Sequence, residues 1–202
     1  MRLRFSLLLA LAFLATPAFA QGMDHSEGEH DGEHHMMVPP MRGNDSPRAS
    51  PNAGAMATIG TTTVHVHYGR PSVRERTIFA SGDDALVPFG QVWRTGANEA
   101  TAVAFSGDVM IGGETLPAGV YSLFTIPGEA EWTIIFNNVA EQWGSMRYDE
   151  AQDALRAMAT PVTAATPAEQ FEISFESITS DSAVMVLAWD DVRVPVTIST
   201  AG

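Results

Sequence analysis

The chain contains no cysteine and no lysine among its 202 residues. Without cysteine it can close no disulfide, so its stability rests on burial even in an oxidising compartment that would permit cross-links. A lipid anchor on an N-terminal cysteine is excluded for the same reason. Positive charge is also scarce: 11 Arg stand against 24 Asp and Glu, a formal charge of −13. Nucleic acid and anionic membrane both demand basic surface, so neither is an expected partner. Long apolar runs are missing apart from Phe5–Leu14, which is too short to span a bilayer as a helix, so no membrane span is expected.

That run is flanked by Arg2 and Arg4 before it and Ala18-Phe19-Ala20 after it. A positive start, a short apolar stretch and small residues at the cleavage site describe a signal peptide. Residues 1–20 are therefore expected to be removed near Ala20/Gln21, leaving a periplasmic or secreted protein. Loss of two arginines leaves a mature charge of about −15.

Residues 21–55 have no apolar period of either kind and are dominated by Gly, Asp, Glu, His, Ser and Pro, which predicts a disordered tail and linker. His25, His30, His34 and His35 lie there beside Met36 and Met37, with carboxylates interleaved. Imidazole binds Cu(II), Zn and Ni, and thioether suits Cu(I), so the mixture is a candidate copper site rather than a requirement for a cofactor. The plainer reading is a polar spacer.

From residue 56 to 202 the pattern is that of one β domain. Val64, Val66 and Tyr68 alternate with His65 and His67, giving a strand with a core face and an outward histidine face. Val109–Ile111 and Glu114–Leu116 flank Gly112-Gly113 as a hairpin. Val120–Ile126 and Trp132–Phe136 are apolar runs around Pro127-Gly128, and Phe171, Ile173 and Phe175 mark a half-exposed strand. Ala183–Trp189 is apolar on both faces, as a central strand would be. Val192–Ile198 reads as a separate last strand, set at an edge by Pro195. Asp149–Met158 has helix formers, but its surroundings leave room only for a short helical turn before a strand near Leu155. The prediction is an all-β, antiparallel sandwich or flattened barrel of roughly 8–10 strands.

Three long runs carry a resemblance: Tyr68-Gly-Arg-Pro-Ser-Val-Arg74, Val92-Trp-Arg-Thr-Gly-Ala-Asn-Glu-Ala-Thr101 and Leu116-Pro-Ala-Gly-Val-Tyr-Ser-Leu-Phe-Thr-Ile-Pro-Gly128. With Gln142-Trp-Gly144 and Val186–Trp189 they resemble the domain-of-unknown-function 2911 family over about residues 56–200. The resemblance implies an exported bacterial β-rich domain and brings no activity with it.

The densest polar motif is Trp93–Thr101. Glu99 is in phase with Thr101, Val103 and Phe105, which predicts an inward carboxylate in need of a cation. Arg70, Arg74, Arg76 and Arg94 are the arginines nearby. One reading is an Arg–Glu network that pins loops. A second is a ligand pocket where Arg70, Arg74 and Arg94 hold a carboxylate or phosphate and Asn98 and Glu99 orient it. A third makes Glu99 a general base. Trp143, beside Gly144, is the one tryptophan suited to be an exposed stacking platform. His65 and His67 supply only two ligands, so a metal role there is not favoured. No catalytic residue is assigned, and no nucleophile, phosphate-loop or dinucleotide motif occurs. The leading expectation is a non-enzymatic binding module for a small anionic ligand or envelope component. The alternatives are an enzyme for a small anionic or sugar-like substrate working through Arg94, Asn98 and Glu99, and copper binding through the tail.

Overall fold

The computed structural model describes residues 47–201. The expected leader and the candidate tail ligands His25, His30, His34, His35, Met36 and Met37 lie outside the described residues. Strands β1 (Asn52–Ile59) and β2 (Thr62–Gly69) form the first hairpin, and the two-residue strands β3 (Phe79–Ala80) and β4 (Val87–Pro88) pair in parallel. There follow β5 (Thr101–Phe105), the hairpin of β6 (Val109–Ile111) and β7 (Glu114–Leu116), then β8 (Gly119–Ile126) and β9 (Trp132–Asn137). The chain ends with β10 (Asp153–Ala159), β11 (Val162–Glu176) and β12 (Ser182–Thr200).

Ten of these strands make two antiparallel sheets. The larger has the order β1-β2-β5-β8-β9-β10, the smaller β11-β12-β6-β7. Their facing sides share one core. Val64, Val66, Val103, Phe105, Leu123 and Phe136 come from the larger sheet, and Phe171, Ile173, Met185, Leu187, Val194 and Ile198 from the smaller. Period-two alternation explains this: a residue slip in any of these strands would turn its apolar set to solvent. The all-β sandwich expected from the pattern is thus what forms.

The ambiguous segment resolves as a single 3-10 turn, Glu150–Gln152, capped by Asp149 and followed at once by β10. Leu155, Ala157 and Ala159 are buried there and alternate with exposed neighbours, so a β period overrides helix propensity.

Two boundaries differ from the sequence reading. Ala183–Trp189 and Val192–Ile198 are one strand, β12, bent where Asp190 takes a left-handed φ of 53°. Pro195 sits inside this paired strand, not on a separate edge strand. Pairing with β11 ends at Arg193 and pairing with β6 begins at Ile198, so no ladder asks for an N–H at position 195. The second difference is at the linker. Asn52–Ala55 already belong to β1 and pair with Val66–Gly69, and half-buried Ala53 and Ala55 pack on the core in phase with Ala57 and Ile59, an alternation too small in side-chain size to stand out from the linker. Among the described residues no helix is long and apolar enough to cross a membrane.

Candidate functional site

The segment joining β4 to β5 crosses one end of the sandwich. Trp93 is fixed there by a pair of hydrogen bonds to Thr125 of β8: its N–H donates to the Thr125 carbonyl at 2.8 Å and its carbonyl accepts from the Thr125 N–H at 2.9 Å. The indole is buried, stacks on Trp189 at 5.7 Å with an 18° interplanar angle, and meets Phe79, Trp132 and Phe171 edge-on. Trp132 and Trp189 are core residues, as their apolar strands suggested.

After Trp93 the backbone curls. Thr95, Gly96 and Asn98 have φ of 50°, 151° and 66°. A buried, β-branched Thr in the left-handed region is strained. It is held by its own hydroxyl, 3.2 Å from Thr125 Oγ1 and 3.4 Å from the Trp93 carbonyl, while its carbonyl accepts from Thr101 Oγ1. Gly69, at the end of β2, packs against this curl: a Cβ there would fall on the Ala97 carbonyl oxygen.

The curl leaves a cavity of about 220 Å³ whose wall includes Ser50, Arg76, Leu86, Val87, Trp93, Arg94, Asn98 and Trp189. The Arg94 carbonyl accepts from the Thr101 N–H at 3.1 Å, but its side chain makes no hydrogen bond or ion pair with any described residue, and its Nε is sealed from solvent without an acceptor among them. Burial pushes its guanidinium pKa below the ordinary value, with no anion among the described residues to offset it. The buried Nε1 of Trp189 also lacks an acceptor among the described residues. Arg76 is tied down by its own loop, Nε donating to the Val73 carbonyl at 3.0 Å. Asn98 Nδ2 donates to the Ser50 carbonyl at 3.3 Å.

The predicted constellation is therefore divided. Arg94 and Asn98 reach the cavity; Arg70 and Arg74 do not line it. Arg70 donates through Nε to the Phe171 carbonyl at 3.1 Å and lies 3.7 Å from Glu172 Oε2. Arg74 is exposed on a turn with φ 49°, its Nη2 3.4 Å from the Ala49 carbonyl. Glu99 is not inward and not paired with any of these arginines. Its carboxylate takes Arg48 Nη1 at 2.7 and 3.0 Å, with about a fifth of each side chain exposed. The left-handed Asn98 breaks the strand alternation before β5 begins at Thr101, so phase counted back from β5 fails at Glu99. Arg76 and Trp189 were missed as pocket residues. One looked like a loop charge, the other like plain core.

Glu99 and the exposed Trp143 instead border a second cavity, of about 250 Å³, on the outer face of the larger sheet. His65 and His67 lie on that outer face, across from Ala104 and Ala102 of β5. No group of three or more His, Cys, Asp or Glu placed to hold a metal occurs among the described residues.

Fold and cavity together define a β-sandwich domain with a small, cation-walled pocket at one end. The chain belongs to the family described as protein of unknown function (DUF2911), whose model matches residues 50–198. No curated protein and no solved structure shows significant similarity to it.

Proposed function

We propose that this protein is an exported, non-enzymatic binding module that takes a small organic anion in the Arg94 cavity. The observation that carries this reading is the Arg94 side chain, which has no partner among the described residues. A part-buried cation without an anion is costly, and a carboxylate or phosphate oxygen is the group that relieves it. Trp93, Trp189, Leu86 and Val87 offer apolar contact to the ligand's body, and the size of the cavity favours a ligand smaller than a typical drug. Binding is favoured over chemistry because, among the described residues, no carboxylate or imidazole lines this wall; Glu99, the candidate base, faces Arg48. Export rests on the leader, and the acidic surface leaves Arg94 as a locally cationic feature.

Titration calorimetry of the full chain with benzoate and with inorganic phosphate, against sodium chloride at matched ionic strength, tests the proposal. Saturable binding that weakens about tenfold or more in Arg94→Met is expected, since hydrogen bonds to a charged group contribute about 1.5–3 kcal/mol. Binding that survives unchanged in Arg94→Met, or no binding beyond the chloride control, overturns it.

A further inference from the structure

The second cavity has the opposite chemistry. Its floor is Ala100 and Ala102, and its walls are Glu99, Ala140, Glu141, Gln142 and Trp143. The loop that carries the last four is fixed to the neighbouring chain. Ala100 N–H donates to the Gln142 carbonyl at 2.9 Å, and Gly144 N–H to the Asn98 carbonyl at 3.0 Å. Further along the loop, Tyr148 packs edge-on to Phe124 at 5.0 Å and donates to Asp153 Oδ2 at 2.6 Å. The walls are thus positioned before any ligand arrives.

Gln142 identifies what is missing. Its Nε2 donates to the Val139 carbonyl at 3.1 Å and to Ser122 Oγ at 3.2 Å. A backbone carbonyl can only accept, so the amide orientation is fixed and Oε1 is the atom left over. That Oε1 is buried and has no donor among the described residues. Glu141 and the exposed Trp143 line the same cavity. Among the lining side chains the acceptors outnumber the donors, the Trp143 N–H being the one donor left uncommitted. A sugar, which needs donors and acceptors in balance, is poorly served by that wall. A protonated amine is well served: it donates to amide and carboxylate oxygens and is attracted to the indole face.

We infer that this cavity is a second, independent site that binds an organic ammonium group, with Gln142 Oε1 and Glu141 accepting its N–H bonds and Trp143 covering it. The Arg94 pocket plays no part in it, so either site can fail without the other.

The test is two-dimensional nitrogen–proton NMR of the full chain, titrated with n-butylammonium chloride against sodium chloride at matched ionic strength. The Trp143 indole resonance is assigned by its loss in Trp143→Ala, a change at an exposed position that leaves the fold intact. A saturable shift of that resonance is expected with butylammonium and not with sodium. Affinity, followed on backbone amides of residues 140–143, falls about two- to fivefold in Trp143→Ala, the range of an exposed cation–π contact. It falls similarly in Glu141→Gln, and Arg94→Met leaves it unchanged. Equal response to sodium, undiminished binding in both Trp143→Ala and Glu141→Gln, or tighter binding of methyl β-glucoside at the same resonances overturns the inference. The last outcome makes Trp143 a sugar platform.

Discussion

Replacing Arg94 by Met should make the ligand-free protein more stable. The guanidinium has no partner among the described residues, and its Nε is sealed from water. A buried polar group left unsatisfied costs about 1–3 kcal/mol. Part of Arg94 remains exposed, which places the cost near the bottom of that range, about 1 kcal/mol. Met keeps an unbranched apolar stem against Trp93 and Trp189 while removing the charge. Urea unfolding should therefore show a higher midpoint at unchanged slope, and thermal melting a rise of about 2–4 °C for a domain of this size. Added anion opposes this difference. At a hundred times the parent's dissociation constant a ligand stabilises the parent by about 2.7 kcal/mol and a variant that binds tenfold more weakly by about 1.4 kcal/mol, so the two melting curves draw level or exchange places. If Arg94→Met instead lowers ligand-free stability by more than about 0.5 kcal/mol, the side chain is holding the fold together and the cavity argument fails.

Glu99→Ala should free residues 47–51 rather than unfold the sandwich, seen as faster amide exchange around Arg48 and Ser50; protection unchanged there would mean the ion pair holds nothing. Asp190→Asn should stabilise at neutral pH. Burial and the neighbouring Asp191 hold the Asp190 carboxyl above the ordinary aspartate range, so its ionised form opposes folding, and the gain should vanish as pH falls through that raised value to the ordinary one. Denaturant unfolding at pH 7 and pH 3 checks it, with Asn also tolerating the left-handed φ of 53°. A peptide covering residues 21–42 should bind copper more tightly than zinc, with dissociation constants on the order of micromolar, weakening below about pH 6.5 as imidazole protonates. Calorimetry showing no copper binding below about 100 μM would reduce that tail to a spacer.

Much of the fold was legible because burial imposes a period of two on each strand: Val64-Val66-Tyr68 and Phe171-Ile173 announce their faces residue by residue. What the period could not show was continuity. Asp190-Asp191 looks like a loop between two strands, yet the backbone bends there and carries on as β12. The pocket was half legible. Trp93–Thr101 stood out by its density of polar and aromatic residues, and Arg94 and Asn98 do line the cavity. Their neighbours could not be chosen from the sequence, since proximity along the chain favoured Arg70 and Arg74 as much as Arg76. Arg48, which pairs with Glu99, sits 51 residues away in a stretch that carries no periodic signal.

The arrangement of Arg94 and Thr95 argues that this end of the sandwich is shaped for a ligand and not merely for closure. Two adjacent residues each oppose stability: a guanidinium without an anion, and a β-branched side chain held at φ 50° with no exposed surface. A backbone in the left-handed region costs a non-glycine residue on the order of 1–3 kcal/mol when over-determined by its surroundings. Glycine at position 95 would remove that cost, and an apolar residue at 94 would remove the other. A connection serving only to lead β4 into β5 gains nothing from either. The Thr95 hydroxyl contacts to Thr125 and Trp93 fix the curl that exposes the Arg94 head to the cavity. Strain and unpaired charge therefore belong to one device, and Thr95→Gly should separate its parts: a more stable sandwich whose Arg94 is no longer held in place, and whose affinity for the anion falls.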